Sequence, residues 1–191
     1  AEHHFTGYSV CPSVHMMGLH VASRTSNLRI GTAVSLAALY HPLRLAEEIA
    51  LLDMLTDGRV NWGVGRGFDP VEFRAFGVPP DESAERFHEA LQIVIEAWRS
   101  DKLNWRGKHW SFDDVEVLPK PKQDPHPPVW LAATSRPAID WAAAQWYSME
   151  GPMLASSDRL FVLQGRVSPI SFQLSNGNLL GRLPGGGGTF A

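Results

Sequence analysis

The chain has 191 residues, enough for a domain with a buried core, and 44% of them are hydrophobic. A formal net charge of -3 leaves no basic stripe to displace counterions from a phosphate backbone, so no nucleic-acid partner is expected. No window approaches the ~18 consecutive apolar residues of a membrane span, and the single cysteine, Cys11, excludes an internal disulfide framework and fits a reducing, cytoplasmic setting.

The chain opens on Ala1-Glu2-His3-His4-Phe5, a carboxylate and two imidazoles in succession. Histidine exchanges protons near neutral pH, and a neighbouring carboxylate can fix its tautomer and raise its basicity. The plain alternative is a surface cluster. A metal site is not expected, because no H-E-x-x-H or similar ligand spacing follows. The chain starts on this cluster without an initiator Met, which points to further sequence upstream.

Cys11-Pro12-Ser13 reads as a turn into a helix whose apolar stripe is Val14, Met17, Gly18, Val21 and Ala22. Leu28 to Val34 reads as a short strand, with Gly31 allowing close backbone approach. His41-Pro42 starts the next helix; Leu45, Ala46, Ile49 and Leu52 form its buried face, Arg44, Glu47 and Glu48 face water, and Asp57-Gly58 ends it. Arg59 to Val64 is a second strand. Strand, helix, strand in this order is a βαβ crossover, which requires parallel strands. Pro79-Pro80-Asp81 opens a third helix with the stripe Phe87, Leu91, Val94, Ile95 and Trp98. Trp105 to Val117 is an aromatic-rich hairpin or loop; Val129 to Ala133 is a third strand and Arg136 to Gln145 a fourth helix.

This alternation predicts an α/β fold with a parallel sheet, a partial (β/α)8 barrel with too few strands to close. Residues 1–146 form that partial barrel. Residues 147–191 form an atypical tail rich in Gly and Ser, ending Pro184-Gly185-Gly186-Gly187-Gly188, with disorder expected beyond about residue 175.

Two further sites follow strands. Gly63-Val64-Gly65-Arg66-Gly67 is no dinucleotide fingerprint, because Phe68 occupies the position of the third glycine and no helix is expected where Asp69-Pro70 follows. It reads as a glycine-lined strand end carrying Arg66 toward an anion, or as a turn that needs glycine. Ala133-Thr134-Ser135-Arg136 offers two hydroxyls and the start of a helix, which suits a phosphate or simply an N-cap. His41 is assigned no chemistry. The opening cluster, Arg66 and Thr134/Ser135 each follow the carboxyl end of a strand, the face of a parallel barrel where active sites gather.

The motifs A-E-H-H-F, L-R-I-G-T-A-V, H-P-L-R-L-A-E-E-I-A-L-L-D, D-G-R-V-N-W-G-V-G-R-G, E-F-R-A-F-G-V and P-K-P-K-Q-D-P-H-P-P-V-W-L-A-A-T-S resemble the bacterial luciferase-like family of flavin- or deazaflavin-dependent oxidoreductases. The resemblance covers roughly residues 1–146. It implies a (β/α)8 barrel that binds reduced FMN, or a deazaflavin coenzyme, at the strand carboxyl ends and uses O2 to oxygenate a small organic substrate. It further implies a flavin reductase as electron source and assembly as a homo- or heterodimer.

Carried onto this sequence, the resemblance makes His3 the general base, flanked by Glu2 and His4, and puts Arg66 and Ser135 at the flavin phosphate. Thr134 stands where luciferase has a glutamate, and Gly65 where it has a cysteine. Ala33-Val34 falls at a cis peptide under the flavin ring. The family's first strand and helix, most of its second strand, and everything after the fifth helix are expected to have no counterpart here. Two rival expectations stand beside the monooxygenase: a deazaflavin-dependent hydride-transfer oxidoreductase on the same scaffold, and an inactive or merely flavin-binding fragment with unpaired sheet edges.

Overall fold

A computed structural model of the chain describes residues 1–7, 11–133, 135, 137–138, 140–142, 159–162, 170–173 and 179–182. The chain divides into two units, Ala1–Pro127 and Pro128–Ala191.

In the first unit, Ser13 accepts the Met16 N–H at 3.2 Å and starts α1, Val14–Ala22. The strand expected over Leu28–Val34 is instead two short pieces, β1 (Ile30–Gly31) and β2 (Ser35–Leu36), both parallel to β3 (Val60–Gly65). Gly31 stands opposite Asn61 and Ser35 opposite Val64, so this path carries one residue more than β3 between those pairs. The extra residue makes a bulge over Thr32–Val34, within which the Ala33–Val34 peptide bond is cis.

The close backbone approach expected at Gly31 occurs across the bulge, at Gly63. A Cβ on Gly63 would lie 1.7 Å from the Thr32 carbonyl oxygen, whereas one on Gly31 would meet nothing within 4 Å. The Thr32 hydroxyl closes the contact, accepting the Gly63 N–H at 2.8 Å and donating to the Gly63 carbonyl at 2.7 Å.

A turn of 3-10 helix over Ala37–Leu39 leads to α2, Pro42–Leu55, with Pro42 in the first turn where its missing N–H is no loss. Asp57 and Gly58 leave that helix with φ of 60° and 76°. Contrary to the sequence reading, a helix does follow Asp69-Pro70: α3, Pro70–Ala75. Asp69 caps it by accepting the Val71 N–H at 2.8 Å, and proline tolerates the first helical position. Phe68 still excludes the dinucleotide fingerprint.

The long helix α4, Ser83–Arg99, starts after the Pro79-Pro80-Asp81 turn; Phe87, Leu91, Val94, Ile95 and Trp98 are buried as their spacing predicts. It packs on α2, where the Trp98 indole donates to the Ala46 carbonyl at 3.0 Å and meets Trp62 edge-on with ring centres 5.2 Å apart.

The aromatic excursion is an antiparallel hairpin, β4 (Leu103–Arg106) and β5 (Ser111–Val115). Its turn is organised by Glu89 of α4, whose carboxylate accepts the backbone N–H groups of Lys108, His109 and Trp110 and the Trp105 indole at 3.0–3.2 Å. The following strap returns beneath β3. Buried Asp53 accepts from the Gln123 backbone and side-chain amides at 2.9 and 2.7 Å, and that side chain also donates to the Val60 carbonyl at 2.8 Å.

In the second unit, β6 (Val129–Leu131) occupies the expected third strand, and residues 137, 138 and 140–142 are helical within the expected Arg136–Gln145 helix. The backbones of β7 (Arg159–Val162), β8 (Ile170–Gln173) and β9 (Leu179–Arg182) form an antiparallel sheet. The boundary expected at residue 146 and the rest of the 147–191 tail lie outside the described residues. Among the described residues no helix is long and apolar enough to cross a membrane.

Two predictions follow from this packing. Gly63→Ala sets a methyl against backbone that cannot rotate away, so it should cost about 1–3 kcal/mol or more; an unshifted urea midpoint would contradict the tight bulge. His126 lies against Trp98 with ring centres 5.8 Å apart, and burial pushes its pKa down despite the 2.8 Å contact with the Pro127 carbonyl. A depressed imidazole binds fewer protons folded than unfolded, so stability falls as pH drops through the ordinary histidine value of 6.5. Urea curves at pH 7.5 and 5.5 should differ less for His126→Gln than for the natural chain.

Candidate active site

The opening loop is folded back on itself, with the His3 N–H donating to the Cys11 carbonyl at 3.3 Å. Its polar side chains are held by two buried carboxylates, each only 2% exposed. Glu2 comes from the loop itself: Oε1 meets the His4 Nε2 at 3.0 Å, and Oε2 accepts the Leu36 N–H at 3.0 Å. Glu72 comes from α3. Its Oε1 accepts the His4 backbone N–H at 2.8 Å and faces the His3 Nδ1 at 3.4 Å.

An ionised carboxylate can only accept, so these contacts assign the protons. His3 carries hydrogen on Nδ1 and its lone pair on Nε2; His4 carries hydrogen on Nε2. The adjacent imidazoles thus hold opposite tautomers because different carboxylates face different ring atoms.

Tyr40 adds a third group. Burial first, then the Glu2 carboxylate to which its hydroxyl bonds, push its pKa far above the phenol range. It remains a proton donor to Glu2 at every ordinary pH.

Aromatic rings frame the imidazoles. Phe68 meets His3 edge-on at 5.8 Å between ring centres, Phe76 meets His4 edge-on at 4.9 Å, and Phe5 lies 5.4 Å from Phe76. Phe68 is 72% exposed.

Leu36 joins this cluster to the sheet. It ends β2, pairs with Gly65 at the end of β3, and gives its N–H to Glu2. The opening cluster, the Ala33–Val34 bulge just ahead of β2, and the Gly65-Arg66 run therefore meet at one end of the sheet. Arg66 is exposed; its guanidinium reaches the Ser83 hydroxyl at 3.5 Å, and no carboxylate pairs with it among the described residues.

Ser135, in the second unit, is exposed and accepts the Ala138 N–H at 3.4 Å, the N-cap arrangement. Thr134 lies outside the described residues. His41 is exposed beside the Phe112 ring, at 5.9 Å. Among the described residues no group of three His, Cys, Asp or Glu side chains could hold a metal ion.

Sequence reasoning missed Glu72 and Tyr40. The signal for Glu72 was present in Asp69-Pro70-Val71-Glu72, where an N-cap residue precedes an acid by three positions. Here the acid turns outward to the histidine loop.

Parallel strands and crossover helices, with polar groups at the strand carboxyl ends, define part of an α/β barrel. The model of the luciferase-like monooxygenase family matches residues 1–150, and the chain belongs to that family. It is 44% identical to the uncharacterised protein y4wF of Sinorhizobium fredii, over 75% of this chain and 42% of that one. It is 30% identical to the oxygenase component of the flavin-dependent trigonelline monooxygenase of Acinetobacter baylyi, over 69% and 38%. With the FMNH2-dependent dimethylsulfone monooxygenase of Pseudomonas putida it shares 33% identity, over 66% and 36%.

Among solved structures, monooxygenase RslO1 from Streptomyces bottropensis superposes with a TM-score of 0.73 at 37% identity, covering 76% of this chain and 45% of that one. The coenzyme F420-dependent tetrahydromethanopterin reductase of Methanopyrus kandleri shares the fold, with a TM-score of 0.60 at 22% identity over 69% and 42%. The chain spans less than half the length of each of these proteins.

Glu72→Ala leaves the part-buried His4 N–H without its acceptor, a cost of about 1–3 kcal/mol. Hydrogen exchange should quicken at the His4 amide ahead of the α4 interior; equal change at both would mean Glu72 does not hold the loop.

Proposed function

We propose that this chain supplies the flavin-facing part of a reduced-FMN monooxygenase acting on a small organic substrate. The observation that carries the reading is the junction at Leu36, where a histidine loop, a small-residue bulge and a cation-bearing strand end meet.

The donor set fits FMN. Arg66 offers a guanidinium that no carboxylate pairs with among the described residues, the group that best matches a phosphate. Ala33, Val34 and Gly65 offer a surface of small side chains to a flat ring. When bound and reduced, the flavin supplies the electrons and the reaction with O2.

The chain's own residues hold the reacting groups and manage protons. His3 is the general base at Nε2, its tautomer set by Glu72. Glu2 and His4 act through the framework of the loop, and Phe68 at the edge of His3 limits the approach of water. The trigonelline relative is an oxygenase component, which supports a separate flavin reductase as electron source. Exposed Met16, Met17, Leu51, Met54 and Leu55 on α1 and α2 support assembly into a dimer.

Titration of the purified chain with FMN and with a deazaflavin, each oxidised and reduced, tests the reading by flavin fluorescence. FMN should bind, and Arg66→Ala should weaken it about tenfold or more, the loss of one charge-assisted bond. Equal affinity in the variant removes the phosphate role. Binding of deazaflavin alone selects hydride transfer without O2. In the full-length protein His3→Ala should slow turnover by ~10²–10⁴; FMN binding with unchanged turnover in that variant would leave a flavin-binding role without this base.

A further inference from the structure

The bulge over Thr32–Val34 is pinned from two sides. On the sheet side Thr32 locks to Gly63. On the other side stands Ser35, which has no exposed surface and whose hydroxyl receives the Trp62 indole N–H at 3.2 Å. With the Glu48 carboxylate accepting at Nδ1, the neutral His15 ring has its lone pair on Nε2 and receives the Ser35 hydroxyl proton at 2.8 Å. The His15 Nδ1–H in turn donates to Glu48 at 3.1 Å, and Glu48 accepts from Arg44 at 3.2 Å on the outer face of α2. Glu48, expected to face water, is thus drawn inward to close the chain of bonds.

Each donor in this chain has one acceptor, and the order admits one His15 tautomer. Apolar residues would fill the same space between α1 and the sheet without placing an imidazole in the core, where polar groups cost free energy unless fully paired. The network delivers direction: it fixes the Ser35 rotamer immediately after Ala33 and Val34.

We infer that His15 is a positioning residue. Through Ser35 it holds the Ala33–Val34 backbone in place at the strand end, and its consequence for ligand rests on the flavin reading given above. His15 itself touches neither cofactor nor substrate; it acts from α1 through one hydroxyl.

Hydrogen exchange of the purified 191-residue chain tests this without a ligand. His15→Ala and Ser35→Ala should each quicken exchange at Val34, Ser35 and Leu36 by about tenfold, the worth of one buried hydrogen bond, with a smaller change at Val94 and Ile95 inside α4. The double variant should match the single ones, because both cut the same chain of bonds. His15→Gln, whose amide places an acceptor near the former Nε2, should recover most of the protection.

FMN affinity should fall and recover in the same order. Equal loosening of bulge and α4, additive effects in the double variant, or a glutamine no better than alanine would overturn the inference. If the natural chain binds no FMN the flavin reading fails, and the exchange pattern alone decides whether His15 positions the bulge.

Discussion

Glu2 is a carboxylate almost wholly withdrawn from water, and the strand ends are built around its need for donors. A buried charge is tolerated only where hydrogen bonds replace its hydration. Three donors meet that need: His4 from its own loop, the Leu36 amide from the sheet and the Tyr40 hydroxyl from the turn that follows. Because Leu36 also pairs with Gly65, the same carboxylate fixes the histidine loop against the end of β3. Glu72 completes the arrangement from α3. The two imidazoles are thereby set by a structure that closes over the carboxylates, so the chemistry of His3 depends on burial two side chains away.

Much of this architecture is legible in the sequence because it depends on periodicity. The stripes of α2 and α4 and the parallel pairing of β1 and β3 follow from which residues can be hidden at once, whereas on α1 the expected Met17 and Val21 are exposed and His15 is buried beside Val14, Gly18 and Ala22. Turn chemistry was legible too: Asp57-Gly58 leaves α2 with positive φ at both residues. The bulge was not. Thr32 and Val34 have good strand propensity, and only the register against β3 shows that one residue too many lies between the paired positions. Nor was α3, whose six residues are too few for a period to show and whose proline was taken as a stop.

The site divides along the same line. Glu2, His3, His4 and Arg66 stand out by residue type, and their placement at strand ends follows from topology. Glu72, Tyr40, His15 and Ser35 do not, because each acts through a partner dozens of residues away and no local pattern encodes which carboxylate an imidazole will meet. Ser135 is described only as a helix cap, one of the two readings its neighbourhood allowed.

The Glu89 carboxylate carries a consequence beyond local stability. Four donors from the β4–β5 hairpin converge on it, and a side-chain carbon at Gly107 would lie 1.8 Å from one of its oxygens. The hairpin tip is therefore cast to the shape of a single acid on a helix, with no slack for an added residue. An insertion at the tip would pull donors off that carboxylate, so the tip and α4 can only change together.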